Sequence, residues 1–396
     1  MFTHIFKMIW KRKKANGLII AEVAIAFMVV FALAVLSIRN YQLYQAPLGF
    51  NYDNMWRVYV SNQSGWQPER DQRLVRQLLT SLAQQPEVES ANLMSSPTFR
   101  DWAWTSSYET DGKLLSFMAN RIDDGAAETF GLELVQGRWF GPQDEGQNYD
   151  PVLVSQLFVE RYFPTENIVG KNIASTEVEN PKEQRVVGVF KEFRQIGEFS
   201  RLQPYLFYRE VLNGENTRPI SGLELKLKAG TSVGFEPKLQ QLLKGVAPQW
   251  EYNIRSWASE RESHLRDSLL PLAVFAIIGS FLLFMVAMGL FGVLWQNVTS
   301  RTSEIGLRRA IGATAKQIHR QIVGELLLIC LVGIFIALAV LVQFPMLGVF
   351  SELDWSLFFQ SVFVATLFML VLAALCAFYP GKIATQYAPA QALHYE

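Results

Sequence analysis

Four stretches almost free of charge constrain this chain more than any other feature: residues 17–38, which carry only Glu22, and residues 268–300, 326–351 and 355–381, which carry no charge. An α-helix rises about 1.5 Å per residue, so about 20 apolar residues cross a hydrocarbon core of about 30 Å. Each stretch is long enough. Half of the 396 residues are hydrophobic and only 18% are charged, against roughly 25% in an ordinary soluble domain, and the shortfall is concentrated in these blocks. An all-soluble fold is excluded. The chain is read as an α-helical membrane protein with four transmembrane helices, at 17–38, 268–298, 321–350 and 355–380, plus a large extracytoplasmic domain at 39–267. The first block follows Lys11, Arg12, Lys13 and Lys14, as in a cleaved signal peptide. It is long for such a segment, however, and Arg39-Asn40-Tyr41 is no small-residue cleavage site. It is read as a span.

Orientation follows from lysine and arginine in the short flanks, which stay in the cytoplasm. Residues 1–16 hold Lys7, Lys11, Arg12, Lys13 and Lys14 and no acid; the link at 299–320 holds Arg301, Arg308, Arg309, Lys316 and Arg320 against Glu304 alone. The connection between the last two spans offers Glu352 and Asp354. Both ends and the 299–320 link are therefore expected in the cytoplasm, with 381–396 as a cytoplasmic tail and 39–267 outside. Within residues 1–16, Ile5, Met8 and Ile9 lie opposite Lys7, Lys11 and Lys14, the pattern of an amphipathic helix on the inner leaflet. Lysine plus arginine equals aspartate plus glutamate, so nothing marks a nucleic-acid binder or an acidic tail.

The domain at 39–267 reads as α+β. A strand at 55–60, a helix at 69–84 with Leu74, Leu78, Leu79 and Leu82 on one face, and a strand at 88–94 are followed much later by the same order: a strand at 223–227, a helix at 235–246 and a strand from Glu251. These βαβ halves, at about 55–94 and 223–257, predict a split ferredoxin-like lobe. An inserted, mainly β lobe is expected at about 95–210, with strands at 132–140, 151–154 and 185–190 and a helix at 156–162.

Catalytic parts are scarce. His264 is the only histidine outside the spans and their inner flanks, and Cys330 and Cys376 both lie in spans, so histidine bases, cysteine nucleophiles and His/Cys metal sites lack members and no disulfide framework exists. The acid pairs Asp123 with Asp124 and Asp144 with Glu145 read as solvated turn residues, and Trp102, Trp104, Tyr108 and Phe117 as packing aromatics. Val169-Gly170-Lys171-Asn172 lacks the leading glycine and the Ser/Thr of a phosphate-binding loop. The chain is expected to be non-catalytic, with no metal site and no cofactor of its own.

In the inner link, Leu307, Ala310, Ile311 and Thr314 share a helical face while Glu304 and Arg308 pair one turn apart. Gly312 permits a break, and Thr314-Ala315-Lys316-Gln317 has the form of a capping box that restarts a helix. The stretch Arg301-Thr302-Ser303-Glu304-Ile305-Gly306-Leu307-Arg308-Arg309-Ala310-Ile311-Gly312-Ala313 resembles the signature after the second span of the macrolide-exporter and FtsX-like (MacB–FtsX type) ABC transporter permeases. Phe130-Gly131-Leu132-Glu133-Leu134-Val135-Gln136-Gly137-Arg138-Trp139-Phe140, Val152-Leu153-Val154-Ser155, Tyr162-Phe163-Pro164, Val169-Gly170-Lys171 and Val186-Val187-Gly188-Val189 are similar, in order, to that family's outer domain, and Tyr379-Pro380 with Pro389-Ala390-Gln391-Ala392-Leu393 to its ending.

The resemblance implies that the link forms a coupling helix seated on an ABC ATPase subunit, a contact assigned to Glu304, Ile305, Gly306, Leu307, Arg308, Arg309, Ala310 and Gly312. It also implies a second permease copy, identical or paralogous, in the bacterial inner membrane. ATP and Mg would be bound at the partner ATPase, and a periplasmic adaptor and outer-membrane channel can join the machine. Above the membrane, the first and second spans are expected to run on as a helical stalk, so that motion at the link reaches the outside. The expected function is a permease subunit that couples ATP hydrolysis by a separate ATPase to movements of the periplasmic domain, driving efflux or extraction of an antimicrobial peptide, drug or lipoprotein. The alternative is a signalling protein of the same architecture that activates a cell-wall hydrolase or sensor kinase; an outer enzyme is the least supported reading. Glu22 and Glu325 are candidate intramembrane functional acids, and Gly279, Gly289 and Gly292 mark a face for close helix approach in a dimer.

Overall fold

The computed structural model describes residues 13–63, 65–110, 112–176, 182–212, 218–300, 302–348 and 353–386. In chain order, α1 (Lys13–Gln45) leads to β1 (Met55–Ser61), α2 (Pro68–Ala83), β2 (Val88–Leu93), β3 (Trp104–Thr110), β4 (Lys113–Ile122), α3 (Ala126–Thr129), β5 (Leu134–Gly137), β6 (Tyr149–Ser155), α4 (Gln156–Tyr162), β7 (Glu183–Phe190) and β8 (Tyr205–Arg209). Then follow β9 (Gly222–Leu227), α5 (Phe235–Val246), β10 (Glu251–Ser256), α6 (Trp257–Thr299), α7 (Thr302–Ala310), α8 (Ala315–Leu341), α9 (Gln343–Leu347) and α10 (Trp355–Gln386). Residues Leu43–Ser268 form one unit; those up to Gln42 and from Leu269 form the other. The amphipathic helix expected within 1–16 falls mostly outside the described residues, as does the motif Pro389-Ala390-Gln391-Ala392-Leu393.

In the sheet-rich unit, β1, β2, β9 and β10 form an antiparallel sheet of order β10-β1-β9-β2. Two βαβ halves interleaved in this way make the split ferredoxin-like lobe. Helix α2 starts at Pro68, where the missing N–H costs nothing, and Asp71 in its first turn accepts from the Gln67 backbone N–H at 2.9 Å. Its apolar residues recur at helical spacing, so Val75, Leu78 and Leu82 meet Leu239 and Leu243 of α5 and Val58, Leu223 and Leu225 of the sheet in one core. Each such side chain contributes about 1.5–3 kcal/mol by leaving water.

The inserted lobe is a mixed six-stranded sheet, β3-β4-β8-β6-β7-β5, with β4 parallel to β8 and β6 parallel to β7. Strand side chains alternate between faces. Leu206 of β8 therefore enters a core with Phe158 of α4, Phe117 and Phe163. Tyr205 and Phe207 enter the opposite one, with Phe50, Phe99, Phe130, Phe193 and Trp257. Central β6 is covered on both faces, which is why Val152, Leu153 and Val154 are apolar in sequence and all 0% exposed. The strand expected at 132–140 shortens to β5. Gly137 has φ +78°, its missing Cβ position lies 2.4 Å from the Val187 carbonyl oxygen, and Arg138 turns away to a bidentate pair with Asp144 at 2.6 and 2.5 Å. Strands β3, β4 and β8 carried no sequence expectation.

Of the two acid pairs, Asp124 is gripped by Arg209 at 2.6 and 2.7 Å, and Asp144 by Arg138. These are structural ties rather than solvated turn residues. Asp123 Oδ2 accepts the Leu93 N–H at 3.0 Å while its Oδ1 is shut off from water. Burial, reinforced by Asp124, pushes its carboxyl up to about 7, from an ordinary value of about 4. The fold thus favours the protonated acid: the stability linked to this group is fully present below about pH 4 and lost as pH rises through about 7. Asp123→Asn should therefore gain stability relative to the parent between pH 5 and pH 8. Thermal melts of the two proteins that run parallel across that range would refute this.

Among the described residues, four helices are long and apolar enough to cross a membrane: Gly17–Gln45, Trp257–Gln296, Ala315–Leu347 and Trp355–Pro380. Capping residues set the starts of two of them. The Ser256 hydroxyl accepts from the Ser259 N–H at 3.1 Å, ahead of the apolar stretch of α6, and Thr314 with Gln317 forms a capping box at the start of α8. Val23 and Phe27 of α1 share a core with Leu290 of α6, Cys330 and Ile334 of α8, and Ala365 and Met369 of α10. Small residues permit close approach. The Cβ that Gly279 lacks would lie 2.7 Å from Leu33, and that of Gly333 2.8 Å from Val23. Gly279 and Gly289 thus serve contacts of α6 with α1 of the same chain, which corrects their assignment to a dimer face; of the three glycines singled out on α6, Gly292 alone has nothing within 4 Å.

Candidate functional site

Helix α7 is held by a buried apolar anchor and an outer chain of polar bonds. Ile305, 7% exposed, packs with Val298 of α6 and Ile318 of α8, flanked by Ala313 and Ile322. Gly306 beside it is also buried. The Arg308 guanidinium donates to Glu304 one turn back at 2.6 Å and to Gln321 of α8 at 2.6 Å, and Gln321 donates to Glu325 at 2.9 Å. Three charged side chains and one amide thereby join α7 to the third span. Contacts with both α6 and α8 thus hold the helix.

Its end is built as the sequence predicts. Gly312, at φ +103°, takes the left-handed conformation that closes a helix, and the Ala313 N–H reaches back to the Arg308 carbonyl at 2.9 Å. Thr314 then caps α8 rather than extending the face of α7. Apolar residues are left facing outward as well: Leu307 is 51% and Ile311 78% exposed, with exposed Ala310 between them. Of Arg309 only the backbone is described. An amphipathic helix that buries Ile305 inward and still offers Leu307 and Ile311 one turn apart has a second face to cover.

The candidate acids part company. Glu325 belongs to the α7 network, whereas the carboxylate oxygens of Glu22 lie 2.7 Å from the position a Gly289 Cβ would take on α6. Sequence reading missed Gln321, the bridge between Arg308 and Glu325; its spacing of four from Glu325 on one helix face was the available signal. Among the described residues no group of three or more histidines, cysteines, aspartates or glutamates is placed to hold a metal ion. His264 is buried, its Nδ1 3.4 Å from Asp101. Of the aromatics, Tyr108 and Phe117 meet edge to face at 5.5 Å and Trp104 stacks on Tyr208 at 5.3 Å, while Trp102 is exposed.

Residues 17–234 match the family model described as the MacB-like periplasmic core domain, and residues 276–389 match the FtsX-like permease C-terminal model. Among curated proteins, the macrolide export ATP-binding/permease protein MacB of Escherichia coli is 25% identical over 410 residues, covering 99% of this chain and 60% of the relative. The protein of that name from Aggregatibacter actinomycetemcomitans is 29% identical over 207 residues, covering 51% of this chain and 31% of the relative. The chain thus spans between about a third and three fifths of the length of these relatives. Among solved structures, the periplasmic region of MacB from Actinobacillus actinomycetemcomitans aligns at 18% identity and a TM-score of 0.39, covering 56% of this chain and 97% of that one.

Proposed function

From the premise that this chain belongs to the MacB-like and FtsX-like permease family, we propose that it converts ATP hydrolysis by a separate ABC ATPase subunit into movement of its periplasmic domain. The family makes it an ABC transporter permease with a periplasmic domain. The movement drives efflux or extraction of a substrate such as an antimicrobial peptide, drug or lipoprotein. One observation carries the reading: Leu307 and Ile311 stand exposed on a helix whose other side is anchored by Ile305 and bonded through Arg308 and Gln321 to Glu325. An apolar knob on a braced lever suits a cytoplasmic motor that pushes and releases. Glu304, Arg309, Ala310 and Gly312 complete the contact, with the buried Ile305 and Gly306 behind it. Both termini lie in the cytoplasm, ATP and Mg are bound by the ATPase subunit, and a second permease copy completes the machine.

Mild-detergent affinity purification of the full chain from its native host, followed by mass spectrometry, tests the reading. Recovery of an ABC ATPase, with or without a periplasmic adaptor and outer-membrane channel, is the expected result. Recovery of a cell-wall hydrolase or sensor kinase without an ATPase would replace transport by signalling.

A further inference from the structure

The loop that follows β7, residues 191–200, grips both helix ends that enter the Leu43–Ser268 unit. Arg194, 3% exposed, is its centre. One guanidinium nitrogen, Nη1, donates to the carbonyls of Leu43 and Ala46 at 3.0 Å and of Pro47 at 3.4 Å, at and just past the end of α1. The other, Nη2, closes the loop on itself through the carbonyls of Glu198 and of Ser200, the latter at 2.5 Å. The Arg194 backbone N–H adds a bond to the Leu48 carbonyl at 2.9 Å. A cation at a helix C-terminus is favoured by the helix dipole, and a planar fork of donors serves several carbonyls where an ammonium cannot.

The same loop holds α6. The Glu198 carboxylate, 4% exposed, pairs with Arg261 of α6, whose guanidinium lies 4.8 Å from the Tyr52 ring centre. Gly197, at φ +117°, lets the loop approach α6 so closely that a Cβ there would lie 3.0 Å from the His264 ring. Behind, the loop is rooted in the inserted lobe. Gln195 donates to the Pro97 carbonyl at 2.8 Å and accepts from the Tyr205 hydroxyl at 2.5 Å, and Phe193 packs on Tyr205 at 5.1 Å. In chain order α1 precedes β1 of the ferredoxin-like lobe; in space its end is bonded to the inserted lobe.

We infer that the 191–200 loop is the joint through which displacement of either helix end carries the inserted lobe, with Arg194 as the positioning residue for α1 and the Glu198–Arg261 pair for α6. The force that displaces the helices comes from the permease reading above; the joint is tested without it. In the full chain in detergent, on a Cys330→Ala, Cys376→Ala background, spin labels at Gln45→Cys and Glu160→Cys report the distance between the end of α1 and the inserted lobe. The parent is expected to give one narrow distance peak and Arg194→Gln to lose it. Arg194→Lys is expected to lose it too, because charge without the fork does not reach the carbonyls. Hydrogen exchange in β6 and β7 stays at the parent rate in both variants.

An unchanged peak in Arg194→Gln overturns the joint, and so does a peak lost together with protection of β6 and β7, since that marks general loosening of the lobe. If Arg194→Gln does not fold, Arg261→Gln with labels at Ser263→Cys and Glu160→Cys decides the same question for α6. A second measurement adds the copurified ATPase. Arg194→Gln should keep ATP hydrolysis and lose the nucleotide-induced distance change. A parent complex with no nucleotide-induced change would count against the permease reading, while the first measurement still decides the joint.

Discussion

Replacing Glu224 by leucine is expected to lower the stability of the Leu43–Ser268 unit by about 3–5 kcal/mol, the cost of leaving a buried charge without its partner. Arg57 and Glu224 sit directly opposite each other on β1 and β9, 1% and 0% exposed. The guanidinium donates to Glu224 and to the carbonyls of Met94 and Ser95 at 3.2 and 3.3 Å, and the Trp257 indole N–H donates to the second carboxylate oxygen at 2.8 Å. Burial pushes the Glu224 carboxyl up; Arg57 and the Trp257 bond act against that. Glu224→Leu strands the guanidinium, and Arg57→Met strands the carboxylate. The double variant Arg57→Met/Glu224→Leu removes both charges and should recover most of the loss. The readout is urea unfolding of the full chain, followed by hydrogen exchange in β1 and β9. Single-variant losses under about 1 kcal/mol, within the range of exposed pairs, would mean that the pair is solvated.

Leu307→Lys is the second. Half-exposed and outside the Ile305 anchor, Leu307 should cost the fold no more than about 0.5 kcal/mol when replaced, as at ordinary surface positions. Function should suffer far more, because a lysine ammonium set into an apolar contact must be desolvated without a partner. The chain is expected to insert into the membrane at the parent level while export or resistance in the native host falls to background and ATP hydrolysis runs uncoupled from it. Glu304→Lys, which also opposes Arg308, should behave in the same way. Normal export by either variant would sink the assignment of α7 to the motor contact.

Several elements were readable because one physical signal sufficed. Uncharged length marked the spans, period-3.6 leucines marked α2 and α5, and Thr314 with Gln317 marked the restart at α8. The hairpin β3–β4 was missed for lack of such a signal. Thr105, Ser106 and Ser107 on an edge strand bury little and leave no apolar alternation, and β8 packs on both faces, so Tyr205-Leu206-Phe207 shows none either. At the link, the pairing of Glu304 with Arg308 was legible from spacing. That Ile305 turns inward while Leu307 and Ile311 stay outside depends on where Val298 and Ile318 arrive.

By itself the sequence determined the class of the protein: spans by hydrophobicity, sidedness expected from basic flanks, a split βαβ lobe from the recurrence of one pattern, and a link with the right caps and spacing. These are local properties, set by residues within a few turns of one another. Only the tertiary structure decided which polar residues are buried and what they hold. Alternation in Leu223-Glu224-Leu225 places Glu224 opposite the leucines, but its burial depends on Trp257 and Arg57 being folded over it. Arg194 reads as one more surface arginine until the end of α1 is brought to it. Desolvation and hydrogen-bond partners are supplied by segments far away in the chain, and no local pattern records which segment will come.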